Sequence, residues 1–125
     1  MSVSNKLFQR DLVGILVDDV LIEEHPVLII SSETSNCLED GQIHGKGRRY
    51  IGVMMTSSPK TKNKFSFDLD NEMFEGNLNK ENCHFRTHIV VSFYHTQVSQ
   101  WKNRMKKIHF TALIDEIKDN IFNVD

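Results

Sequence analysis

A small, mostly β barrel closed by one C-terminal helix is the architecture this chain predicts. Three observations point to it. Short apolar runs, such as Leu12–Val17 and Pro26–Ile30, end abruptly in charged or turn residues. Phe65, Phe67 and Leu69 alternate with Ser66 and Asp68, the period of two of a half-buried strand. Phe110, Leu113, Ile114, Ile117 and Ile121 fall instead at helical spacing, with Asp115, Glu116, Lys118 and Asp119 facing water.

In chain order, Leu12 to Val17 reads as a buried strand that stops at Asp18 and Asp19. Pro26 to Ile30 is a second, and His25 marks its mouth, because proline can open a strand but not occupy its centre. Ser31 to Gly45 is polar and holds two glycines, so it reads as a loop. Tyr50 to Met55 is an apolar run ending in Thr56, Ser57 and Ser58. With Pro59 beyond it and the Phe65–Leu69 alternation next, this stretch predicts a β-hairpin. Asp70 to Cys83 is acidic and Asn-rich, hence irregular chain with one helical turn. His84 to Phe93 predicts a single strand with Phe85, Ile89, Val91 and Phe93 on one face. Trp101 is expected as a packing anchor before a short sixth strand at 103–109. The helix follows over 110–122, with Thr111 as its candidate cap.

The 125 residues suit one domain spanning 1–125, large enough to bury a core. Charged residues at 26% and hydrophobic ones at 39% exclude a disordered chain. No apolar run reaches membrane-spanning length, and the opening MSVSNKLFQRD has no signal-peptide core. Cys37 and Cys83 are too few for a disulfide framework and show no paired metal spacing. The expectation is a cytoplasmic protein with reduced thiols, no membrane contact, no cofactor and no metal.

A net charge of -2 hides segregation. From Gly41 to Ser66 there are six basic residues (Lys46, Arg48, Arg49, Lys60, Lys62 and Lys64) and no acid. From Ser99 to His109 there are four more, again without an acid. This pattern suggests one cationic face for a polyanion, the alternative being two solvated basic loops. Gly45-Lys46-Gly47-Arg48-Arg49 is only loosely like a phosphate cradle, lacking the Lys-Ser/Thr ending and helix of a P-loop.

His84, Arg86 and His88 would share the exposed face of their strand. Neighbours two apart lie about 7 Å from each other and can reach one phosphate, while the outer pair, about 13 Å apart, cannot share a metal ion. Arginine offers a fork matched to phosphate, and histidine is suited to acid or base work near neutral pH. The alternative is an ordinary exposed polar face. Thr56 and Ser57 are either turn residues satisfying nearby backbone or donors to a phosphate. No GxSxG elbow marks a nucleophilic serine. Were the polyanion a single-stranded nucleic acid, Tyr50, Tyr94 and Trp101 would be candidate stacking surfaces.

The order of pieces carries a resemblance. Pro-Val-Leu-Ile-Ile-Ser at Pro26–Ser31 comes first, then an apolar strand into Thr56-Ser57, then Lys-Phe-Ser-Phe-Asp-Leu at Lys64–Leu69. Arg86 before an Ile-Val-Val strand, Arg-Met-Lys-Lys-Ile at Arg104–Ile108 and a final amphipathic helix complete it. From about Arg10 to Phe122 the chain resembles the MazF/PemK/Kid toxin family. That resemblance implies an SH3-like or CcdB-like barrel, a homodimer, and metal-independent cleavage of single-stranded RNA. It also implies products with 2′,3′-cyclic phosphate and 5′-hydroxyl ends, and a cognate antitoxin that blocks the groove. Thr56 and Ser57 match the family's Thr-Ser at the scissile phosphate, Arg86 its arginine before the next long strand, and Asp11 its opening acid, with Arg10 in place of a glycine. His25 stands where the family places a catalytic arginine. The loop between the first two strands is shortened to Asp18–Glu24, and residues 37–49 look inserted.

The candidate catalytic residues are therefore His25, Thr56, Ser57, Arg86 and His88, and the candidate RNA contacts are Lys46, Arg48, Arg49, Lys60, Lys62, Lys64 and His84. Two other functions fit the same residues: a non-catalytic nucleic-acid-binding barrel that lost the arginine, and a protein-interaction module with charged faces.

Overall fold

The structure, a computed structural model, describes residues 6–16 and 24–122. The expected end of the first strand at Val17 and the shortened loop after it fall outside the described residues. Among those residues the order is β1 (Asp11–Leu16), β2 (Glu24–Ile29), α1 (Leu38–His44), β3 (Arg49–Thr56), β4 (Ser66–Asp68), β5 (His84–Arg86), β6 (Val91–Tyr94), β7 (Val98–Arg104) and α2 (Lys107–Phe122). Single 3₁₀ turns at Pro59–Thr61, Asn71–Met73 and His95–Gln97 punctuate the connections. All strand pairings are antiparallel, in the order β4-β5-β3-β2-β1-β7 with β6 also on β3. This is the mainly β domain with a C-terminal helix that the sequence predicts.

The strand centres explain the continuous apolar runs. Leu12 pairs with Leu28 and Leu28 with Val53, which places all three on one face. There they pack with Phe74, Phe85, Met105 and the α2 residues Phe110, Leu113 and Ile117. Val13 pairs with Val27 on the opposite face, in a second core with Ile15, Ile29, Tyr50, Phe93 and Val98. Strands buried on both sides lose the apolar–polar alternation, so LVGILV and PVLII read as unbroken runs.

Pro26 does not open β2. It sits two residues in, opposite Gly14, next to the last rung between β2 and β3, Val27↔Met54. Beyond that rung β3 leaves β2, so the position without an N–H lies where the ladder is given up. Met55 and Thr56 pair instead with Phe85 and His84.

The predicted hairpin does not form. β5 inserts between β3 and β4: Phe85 pairs with Met55 on one side and with Phe67 on the other. The apolar side chains of the two predicted hairpin arms thus meet the same phenyl ring instead of each other. The strand predicted over His84–Phe93 is also divided. β5 and β6 lie along one edge of β3, which advances three residues between the rungs Gly52↔Val91 and Met55↔Phe85 while the other side uses six. The excess is taken up at the break because Thr87 is claimed elsewhere. Its N–H and hydroxyl both go to the Phe65 carbonyl (3.1 and 2.6 Å), and Asn120 of α2 donates to that hydroxyl at 2.6 Å.

α1 lies in the stretch expected to be a loop. Cys37 caps it weakly through Asp40 N–H (3.5 Å), Glu39 and Asp40 favour its first turn, and Gly45 ends it with φ +67°. With Leu38 and Ile43 exposed, it shows no buried apolar stripe. Gly41 is its buried residue, and a Cβ there would lie 1.1 Å from the Gly47 carbonyl oxygen. Because backbone must move to admit a methyl, Gly41→Ala should cost roughly 1–3 kcal/mol. A fall in the urea midpoint at unchanged m-value would register it.

At the C-terminal end, β7 comes earlier than the strand expected at 103–109 and contains Trp101, which is 51% exposed. Trp101 is held by its indole N–H to Asp11 rather than by burial. α2 begins at Lys107, so Thr111 is inside it and donates to the Lys107 carbonyl at 3.1 Å instead of capping. The predicted core face is the observed one, with Ile114 and Ile121 partly buried beside Phe110, Leu113 and Ile117. No helix among the described residues is long and apolar enough to cross a membrane.

Candidate functional site

The end of β3 and the start of β5 bring Thr56, His84 and Arg86 into one corner. Thr56 is directly opposite His84, which is opposite Asp68, so the three share one face of the sheet. Arg86 lies on that face, opposite Ser66, about 7 Å along β5 from His84. Its Nε is buried without a partner. His25 is on the same face of β2, opposite Ile15 and two residues before the last rung to β3. Ser57 follows Thr56 half-buried as β3 ends.

Two histidines differ from expectation. His84, expected as an exposed RNA contact, is 1% exposed and cannot meet a phosphate backbone where it stands. Its Nε2 lies 3.0 Å from Thr61 Oγ1 and its Nδ1 has no partner. His88 leaves the strand at the break and its ring stacks on Phe65, centroids 4.6 Å apart. Its Nδ1 too is buried without a partner. A shared exposed face of His84, Arg86 and His88 therefore does not exist, because Thr87 turns the chain between them. Four unpaired buried side-chain atoms occur among the described residues, and three belong to these three side chains. Such atoms cost free energy that packing does not return.

Thr56 performs the turn role weighed for it: its Oγ1 accepts the Ser58 N–H at 3.1 Å. That leaves its own proton free, so the donor role survives beside the structural one. Around the corner the 3₁₀ turn carries Lys60, Lys62 pairs with Asp68 at 3.1 Å, and Lys64 lies over the Phe65 ring at 5.0 Å.

The basic residues do not form one cationic face. Lys46, Arg48 and Arg49 lie at the opposite end of β3, about 23 Å from Thr56 by strand rise. Arg49 also points to the other side of the sheet, since it and Thr56 differ by an odd number of residues. There Arg49 bridges Ser92 (2.7 Å) and Asp40 (3.3 Å), and Lys46 covers the Tyr94 ring at 5.4 Å, with His44 edge-on to that ring. The two lysine and arginine clusters adjoin in sequence but are separated in space by one straight strand.

Two carboxylates are also engaged in networks that span the fold, Asp11, matched above to an opening acid, and Glu24. Asp11 is buried and accepts from Phe8 N–H (2.7 Å), Trp101 Nε1 (3.2 Å) and Arg104 Nε (2.9 Å). It is an anchor tying β1 to β7. Glu24 accepts from Ser99 and Gln100 and pairs with Lys102 at 2.6 Å, beside a cleft of about 400 Å³ floored by Leu12, Pro26 and Met55. Gly14 makes room for it: a Cβ there would meet the Glu24 carboxyl carbon at 2.3 Å. Burial alone would raise the Glu24 pKa, but the bonds from Lys102, Ser99 and Gln100 outweigh it and hold the carboxyl below its ordinary value. The folded carboxylate thus adds stability that is present above about pH 4.5 and lost as pH falls through the lowered pKa. Glu24→Gln should flatten that acid limb in urea midpoints measured against pH.

No protein-family model matches the chain, and a search of curated proteins finds no significant relative. Among solved structures it matches a Mycobacterial endoribonuclease described in complex with its cognate antitoxin, with a TM-score of 0.61 and 9% identity. The match covers 98% of each chain. At that identity the likeness establishes the fold, a small barrel-like β domain.

Proposed function

We propose that this chain, as a single domain over residues 1–125, is a toxin endoribonuclease that cleaves single-stranded RNA without a metal. A 2′-hydroxyl attacks the adjacent phosphorus while a base takes its proton. The P–O5′ bond breaks and the leaving oxygen takes a proton from an acid, giving 2′,3′-cyclic phosphate and 5′-hydroxyl ends. His25 and His88 supply base and acid, Arg86 clamps the charged phosphorane, and Thr56 and Ser57 donate to its oxygens. Lys60, Lys62 and Lys64 hold the flanking phosphates, with Lys46, Arg48 and Arg49 a separate anion-binding end. A homodimer in the cytoplasm, inhibited by a cognate antitoxin, completes the proposal, supported by the fold shared with an endoribonuclease bound to its antitoxin.

The observation that carries this reading is the buried, unpartnered Arg86 Nε on the same sheet face as Thr56, with His84 between them and a lysine-bearing turn above. A half-buried guanidinium with an uncommitted donor is suited to an anion. The test is incubation of a mixed-sequence RNA in EDTA, with the ends of the products analysed. Cyclic-phosphate ends support the proposal. Binding without cleavage would identify a non-catalytic nucleic-acid-binding barrel instead. Replacing Lys60, Lys62 and Lys64 by Gln should lower the slope of log affinity against log salt by about two to three. An affinity for RNA unchanged by that triple substitution would leave a protein-interaction module.

A further inference from the structure

We infer that His84 is a positioning residue for the cleavage proposed above, acting through Thr61 and Ser58 to leave the Thr56 hydroxyl free to donate. Thr61 Oγ1 lies 2.9 Å from the Ser58 carbonyl oxygen, and a carbonyl only accepts, so the single hydroxyl proton of Thr61 is spent there. The same oxygen is 3.0 Å from His84 Nε2. With its proton committed, Thr61 must accept, and His84 must carry a proton on Nε2. Ser58, whose carbonyl also accepts the Thr61 N–H at 3.2 Å, is fixed in the turn and gives its own N–H to Thr56 Oγ1, 3.1 Å away. Thr56 thus accepts through one lone pair and keeps its own proton to give. Each link runs in the direction an anion-facing hydroxyl requires.

The burial of His84 fits this role and no contact role. At 1% exposed it does not touch RNA, and its Nδ1, a lone pair in this tautomer, finds no donor. For packing alone, leucine would fill the space without a buried unpaired nitrogen. The imidazole is explained by what Nε2 does. It ties the turn bearing Lys60 to the strand bearing Arg86, since Thr61 closes that turn and His84 opens β5.

Four single variants, one double variant and one spectrum test the inference. In His84→Gln the side-chain amide nitrogen reaches the Nε2 position and can donate. His84→Leu cannot donate, Thr61→Val removes the relaying oxygen, and Thr61→Ser keeps it. His84→Leu and Thr61→Val should each lower kcat by about 10–100-fold, less than the 10²–10³-fold lost when such a donor is deleted. KM should stay within about threefold in both. His84→Gln and Thr61→Ser should retain most activity, and the double variant His84→Leu/Thr61→Val should be no worse than either single. Imidazole ¹⁵N spectra of the wild-type protein should show His84 protonated at Nε2, a readout that needs no cleavage. A wild-type protein that does not cut RNA but shows this tautomer removes the proposed reaction and leaves the relay. An Nδ1–H tautomer, an unimpaired Thr61→Val, or a folded His84→Gln as damaged as His84→Leu would overturn the inference.

Discussion

Arg86→Ala is expected to lower RNA cleavage by about 10²–10³-fold, the loss typical of deleting one pre-placed donor to developing negative charge. The fold should survive. Arg86 is half-buried, and the backbone around it is held independently of its side chain, by the rung to Ser66 and by Thr87 bonded to Phe65 and Asn120. Removing the guanidinium also removes a buried, unpaired Nε, so stability should change little or rise slightly. Arg86→Lys should recover only a fraction of the rate, since an ammonium is a point charge without the planar fork. Single-turnover cleavage rates, read beside thermal midpoints, check both halves. A folded Arg86→Ala protein within threefold of the wild-type rate would remove the phosphate clamp from the mechanism.

The largest effect on stability is expected at Phe85. Phe85→Ala should cost about 3–5 kcal/mol, the range for truncating a fully buried phenylalanine. Its ring is completely buried, lies 6.4 Å from that of Phe74, and belongs to the core that α2 covers with Leu113 and Ile117. Its backbone joins β3 to β4, so the cavity would open beneath the strand that links them. Against a total of about 5–15 kcal/mol for a domain of this kind, such a loss leaves a marginal protein. Phe85→Leu keeps most of the volume and should cost less than about 1.5 kcal/mol. Urea unfolding of the two variants measures the difference. Because Phe85 stands between His84 and Arg86, the Ala variant should also lose activity, and an Ala variant within 1 kcal/mol of wild type would contradict the packing described.

The parts of the fold that sequence makes legible are those whose pattern is local. The runs at β1 and β2 and the helical spacing of α2 each carry their own signal. Nonlocal decisions are not legible. Nothing near Met55 or Phe67 announces that Phe85, a distant residue, will lie between them, and so a hairpin is the natural expectation. α1 escapes because it is short and buries only a glycine, leaving no apolar stripe to detect.

The candidate site divides in the same way. Thr56, Arg86 and the lysines are readable as residue types near strand ends. The burial of His84 is not, since a histidine in an alternating strand looks the same on either face. Thr61, whose hydroxyl bonds back to the Ser58 carbonyl, is not singled out by the sequence. The Asp11 and Glu24 networks join residues more than seventy positions apart, so their partners have no local pattern, although the resemblance picks out Asp11 itself.

The bond from Asn120 to Thr87 spans 33 residues and fastens the last turns of the terminal helix to the kink beside the guanidinium. The last turn of α2 is therefore a latch on the chain beside Arg86. Loosening that turn of α2 would slacken the arginine's mooring without changing any side chain around the guanidinium.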